Sequence, residues 1–169
     1  LGGCSSKEES KLRHKEQALV FLEKNELKQA VIELKNALQL DPGDSEACYA
    51  LGEIHLKLRE PQKAYEAFLR AASIKPDHLN AQLKLGQLLL FSKRTKEARE
   101  KAEWVLQKSP ENSDALELLS GIHIYEKDFT SALNTLEMAI SLDPQHVMTQ
   151  LSLARVLGLK GMTEKAERA

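Results

Sequence analysis

The 169-residue chain is long enough for one compact domain or a short array of stacked units, with 42% apolar residues, mostly Leu and Ala, and only 5% aromatics. Its 24 basic and 25 acidic residues leave a net charge of −1, which gives no electrostatic attraction to nucleic acid or to an anionic membrane surface. No apolar run reaches the roughly 18–20 residues that cross a bilayer, and two cysteines, Cys4 and Cys48, make neither a disulfide framework nor a zinc site.

Residues 1–10, LGGCSSKEES, carry no helical periodicity and read as a flexible tether. Leu1-Gly2-Gly3-Cys4 resembles the lipobox of bacterial lipoproteins. Small side chains there let a peptidase reach the bond before the cysteine, whose thiol receives diacylglycerol. The alternative is a stray cysteine in a flexible leader. A start without Met fits processing. On the lipobox reading Cys4 is the lipidation site, and Ser5 behind it, rather than Asp, implies an outer-membrane destination.

From Lys11 the pattern is helical and periodic. Pro42, Pro76, Pro110 and Pro144 stand 34 residues apart, and so do Ala30, Ala64, Ala98, Ala132 and Ala166. Such a period means one structural unit copied along the chain. The copies run 11–44, 45–78, 79–112 and 113–146, with a partial fifth at 147–169. Each holds a first helix, a polar break and a second helix. The breaks fall at Lys24-Asn25-Glu26, Arg59-Glu60-Pro61, Ser92-Lys93-Arg94, Glu126-Lys127-Asp128 and Lys160-Gly161, and the prolines close the second helices. In residues 45–78, Leu51, Ile54, His55 and Leu58 form one apolar stripe, and Ala64, Phe68 and Ala71 form the stripe facing it. Gly52, Ala64 and Ala71 are small where the two helices approach closely.

Leu51, Gly52, Ala64, Phe68, Ala71 and Pro76 resemble the tetratricopeptide repeat (TPR) signature. The pattern returns as Leu85, Gly86, Ala98 and Pro110, and as Leu119, Ala132, Leu136, Ala139 and Pro144; the first copy contributes Phe21, Ala30, Leu34, Ala37 and Pro42. The resemblance implies an all-α TPR solenoid, a right-handed superhelix of antiparallel helix pairs with no strand. Cys48, Gln82 and Leu116 depart from the usual Trp, and His55, Leu89 and His123 from the usual Tyr. The fifth copy stops before its second helix finishes, so either the array continues or a partner covers that end.

Nothing along the chain assembles catalytic chemistry. The five histidines lack ligand-type spacing, Cys48 has no basic cluster beside it, and there is no glycine-rich phosphate loop. The expectation is a non-catalytic module without cofactor or metal. The family resemblance instead points to a concave groove lined by fixed positions of each first helix. Carried onto this chain these include Lys15, Leu19, Tyr49, Glu53, Leu83, Lys84, Gln87, Phe91, Glu117 and Tyr125, with Tyr49, Phe91 and Tyr125 as anchors for a protein or peptide ligand. Leu22, Leu56, Leu90 and Ile124, at one shared position, either line the groove or pack between helices. The carboxylate clamp of chaperone-binding members wants Asn where Leu19 and Ala50 stand.

Cys4, the tether and the early repeats together resemble bacterial TPR lipoproteins, and Ala30 to Leu38 is most similar to the first repeats of the PEP-CTERM system lipoproteins. That implies a lipid-anchored periplasmic scaffold in exopolysaccharide export or protein sorting, touching membrane only through Cys4 and binding no nucleic acid. A pilotin-like lipoprotein for pilus or secretin assembly, and the regulatory arm of a larger enzyme, are the alternatives.

Overall fold

Four residues with positive φ set the architecture: Asn25 (57°), Arg59 (59°), Lys93 (62°) and Lys127 (63°). They recur every 34 residues, each inside one of the first four polar breaks. A left-handed backbone costs a non-glycine residue about 1–2 kcal/mol, so something must impose it. Part of the compensation is local: in the second repeat Glu60 N–H donates to the His55 carbonyl at 2.9 Å and Arg59 N–H to Leu56 at 3.0 Å, which satisfies carbonyls at the end of the first helix. Glu26 to Phe21, Arg94 to Leu89 and Asp128 to His123 repeat the longer bond at 2.8–2.9 Å.

The computed structural model describes residues 2–167, and side chains within 6–161. Among the described residues there are nine helices and no strand: α1 (Gly2–Glu23), α2 (Leu27–Leu40), α3 (Ser45–Lys57), α4 (Pro61–Ile74), α5 (Leu79–Phe91), α6 (Thr95–Lys108), α7 (Ser113–Tyr125), α8 (Phe129–Leu142) and α9 (Val147–Glu167). They fall into two compact units, Leu1–Lys84 and Leu85–Ala169. In the first, α1 packs on α2, α2 on α3 and α3 on α4; in the second, α6 packs on α7, α7 on α8 and α8 on α9.

The first helices of successive repeats start on matched caps. Ala47 N–H donates to Asp44 Oδ1 (2.9 Å), Ala81 N–H to His78 Nδ1 (3.3 Å) and Ala115 N–H to Asn112 Oδ1 (2.9 Å). Pairs then close through small residues: Ala30, Ala64, Ala98 and Ala132 are all fully buried. Gly52 shows how tight the fit is, because a Cβ there would lie 2.5–2.8 Å from the Phe68 ring. In the second unit Ala132, Leu136 and Val156 form a buried cluster, flanked by Ile124, Phe129, Leu133 and Leu153.

A histidine holds the intra-repeat turn of the second repeat, but its counterpart in the fourth does not. His55 Nδ1 sits 2.7 Å from Glu60 Oε2, whereas His123 Nδ1 is 4.0 Å from the shorter Asp128. Burial, aided by Arg99, pushes the His123 imidazole below its ordinary pKa.

Two expectations need correction. The leader is helical rather than a loose tether: α1 begins at Gly2. Its Lys and Glu residues are good helix formers, Glu8 pairs with Lys11 at 2.7 Å, and Lys11 reaches Asp41 at 3.0 Å. The fifth break does not form either, since α9 runs unbroken through Lys160 and Gly161. Gly161 holds the repeat position of the four left-handed residues, yet no described glycine has positive φ. In the earlier repeats each turn is followed by a docked second helix of 14 residues; at Gly161 the backbone stays helical through Glu167.

Gly52→Ala should therefore lower the urea midpoint, because overpacking costs about 1–3 kcal/mol and outweighs a propensity gain of about 1 kcal/mol. Gly158→Ala, where an added Cβ meets nothing within 4 Å, should raise it slightly. A Gly52→Ala midpoint at or above that of Gly158→Ala would refute the close approach.

Candidate peptide-binding faces

The inner positions of the first helices carry contacts that reach the loop closing the same repeat or the next first helix. In the first unit Lys15 Nζ donates to Asp44 Oδ2 at 2.7 Å. Burial works to raise the Asp44 carboxyl, but Lys15 and the Ala47 amide more than offset it and hold the group below the usual carboxylate range. Lys15 is thus engaged. One repeat later the Tyr49 ring lies 4.9 Å from His78 and 5.4 Å from Phe68, centroid to centroid. His78 accepts its cap bond at Nδ1, which leaves the proton of the neutral ring on Nε2, 3.4 Å from Glu46. Glu53 Oε1 and Lys84 Nζ are 3.1 Å apart, an ion pair by distance whose angle falls short of a hydrogen bond.

Of the residues expected to line a groove in this unit, Leu19 is open, at 60% exposed. Tyr49 is half-buried, so its truncation would loosen packing as well as binding. Leu83 is a correction: it is 3% exposed and belongs to the core. Lys15, Tyr49 and Glu117 sit at the same repeat position and are half-buried; leucine has no polar group to keep hydrated and gains by lying flat on its neighbours.

In the second unit the face is more apolar. Phe91 is 80% exposed and Tyr125 50%, both at the last turn of a first helix and one repeat apart. Gln87 is exposed beside them in sequence, and Glu117 is half-buried. Leu118, next to Glu117 in sequence, is 4% exposed and is core. Leu22, Leu56, Leu90 and Ile124 are all half-buried, and Ile124 packs on the Leu136 cluster. Sequence reasoning passed over three open apolar side chains, Leu12, Met148 and Leu151. The repeat arithmetic points to them: Leu151 lies one repeat beyond Glu117, and Leu12 and Met148 share one repeat position in the first and last copies.

Cys48 is buried, and desolvation pushes its thiol above the ordinary value, which makes it an inert core residue. Among the described residues one group could hold a metal ion: ligand atoms of Asp114, Glu117 and His146 lie within 4.8 Å of one another. Sequence spacing hid this group, because 29 residues separate Glu117 from His146. His146 Nδ1 is 2.6 Å from Thr149 Oγ1 and 4.0 Å from Glu117, so the imidazole nitrogen nearest the carboxylate already has a partner.

Comparison with known proteins accords with this anatomy. The model of the cytochrome c-type biogenesis protein H TPR domain matches residues 7–132. The putative cytochrome c-type biogenesis protein CcmH of Haemophilus influenzae is 26% identical over 126 residues, 71% of this chain and 27% of that protein. The chain spans about a quarter of the length of the first curated relatives it matches, 22% and 27%. MamA 41-end from Desulfovibrio magneticus RS-1 superposes with a TM-score of 0.80 at 21% identity, covering 94% of this chain and 90% of that one. YrrB, a TPR protein with an unusual peptide-binding site, superposes at 0.74 with 22% identity, covering 85% and 74%. These likenesses establish the fold as a TPR solenoid, and the family match goes further: the chain belongs to the cytochrome c-type biogenesis protein H TPR-domain family.

Proposed function

We propose that this module is a non-catalytic scaffold that holds an extended segment of a client polypeptide in an assembly or maturation system. The observation that carries the reading is the pair Phe91 and Tyr125, two aromatics left open at one repeat position of the second unit. Exposed aromatics of this kind are the usual anchors of protein interfaces. Apolar contact with the two rings supplies most of the grip. The family's name nominates unfolded c-type cytochrome chains as the first clients to try.

An array of overlapping peptides from an apocytochrome c is the direct assay. The Phe91→Ala/Tyr125→Ala double variant should bind its best peptides at least about tenfold more weakly, while Glu66→Ala and Glu100→Ala behave as wild type. Equal binding by the folded double variant would remove this face from consideration.

The setting we propose is the periplasmic face of an outer membrane, with a lipid on Cys4. The side chain of Cys4 lies outside the described residues, and support comes from the lipobox-like Leu1-Gly2-Gly3-Cys4 and from the lipoprotein-like run Ala30 to Leu38. A precursor carrying Cys4→Ser should lose labelled palmitate and leave the membrane fraction with its helices intact; unchanged membrane partition would end the lipoprotein reading.

A further inference from the structure

A second candidate surface lies inside the first unit, built largely from α2. Between α2 and the turn joining α3 to α4 there is an open pocket of about 410 Å³. That is within the usual size range of ligand sites. Val31, Ile32 and Leu58 make its apolar floor, and Ile32 is 56% exposed with nothing apolar covering it. Lys28, Lys35 and Lys63 stand around the mouth. Glu60, the carboxylate inside, is already spoken for: Lys63 lies at 2.8 Å and His55 at 2.7 Å, and together they hold it below the usual range. Lys28 and Lys35 form no ion pair among the described residues. In a chain whose net charge is −1, they are an uncompensated local excess.

Their spacing decides the ligand. Seven residues apart on one helix, Lys28 and Lys35 are separated by about 10 Å along its axis, with Ile32 between them. A lone phosphate or carboxylate drawn between the two would leave Ile32 wet. A peptide can pair with both lysines and cover Ile32, if an apolar side chain sits between two acidic ones. We propose that this pocket docks an acidic peptide segment through one apolar anchor on Val31, Ile32 and Leu58, flanked by carboxylates on Lys28 and Lys35. Exposed ion pairs contribute little each, so the apolar anchor sets the affinity and the lysines set which sequences enter.

The test uses a fluorescein-labelled peptide, a Leu-Phe pair with two glutamates on each side, titrated with the whole chain by anisotropy. Wild type should saturate below about 1 mM. Lys35→Glu and Ile32→Ser should each weaken binding by about fivefold or more. Lys96→Glu, which changes net charge equally on an exposed residue of the second unit, should stay within about twofold of wild type. Both pocket positions are exposed, so circular dichroism should be unchanged. A peptide with Ser-Ser in place of Leu-Phe should bind more weakly. The proposal is overturned if wild type fails to saturate, if Lys35→Glu binds as wild type, or if the Ser-Ser peptide binds equally. It is also overturned if the protein ignores the peptide and instead binds phosphatidylglycerol vesicles in a Lys35-dependent way. Phe91 and Tyr125 take no part, so either surface can fail alone.

Discussion

Everything in this fold depends on how closely two helices of a repeat can approach. Gly52 has no room for a methyl group against the Phe68 ring, and Ala30, Ala64, Ala98 and Ala132 are fully enclosed. To bring the helices that near, the chain must reverse within a few residues, and the reversal puts Asn25, Arg59, Lys93 and Lys127 into the left-handed region. Three of these are long, charged residues with no local preference for that conformation. Tertiary packing overrides local propensity at each of them. At Gly161 the reversal is absent although glycine would adopt it most easily, so residue type alone does not set the turn.

The same close packing determines what remains for recognition. Caps and inner-face pairs, Lys15 with Asp44, Tyr49 with His78 and Glu53 with Lys84, consume most of the polar groups on the first unit's inner face. They hold each first helix against the following loop or first helix and cannot also serve a ligand without being broken. What the second unit leaves free are Phe91 and Tyr125, whose rings nothing in the repeat requires. The lysines of the outer pocket are free for the same reason: Glu60 is satisfied locally by Lys63 and His55, so Lys28 and Lys35 have no internal task.

Period and small-residue spacing made the helix pairs, the first four turns and the core alanines legible before any coordinates. They could not show which residue would take the left-handed conformation, because Arg59, Lys93 and Lys127 carry no turn signal of their own. The helical leader was hidden because its stabilising contact, Lys11 with Asp41, spans 30 residues. The burial of Leu83 follows from side-chain polarity at a boundary position, and no positional rule contains that. Phe91 and Tyr125, which the family pattern assigns to the groove, are both open side chains. The pocket beside Ile32 was invisible to it, since that pattern describes first helices and the pocket is built largely from α2.

The most direct measurement compares Gly and Ala at one turn residue by urea denaturation. At Lys93, φ is 62° and no ion pair is formed among the described residues. If packing forces a left-handed turn there, Lys93→Gly should raise the unfolding midpoint relative to Lys93→Ala, by about 1 kcal/mol, because glycine carries no steric cost in that region. A helical or freely adjusting turn gives the opposite order, with alanine the more stable by about 1 kcal/mol. Alanine above glycine at Lys93 would contradict the packing-imposed turn on which the rest of the fold is built.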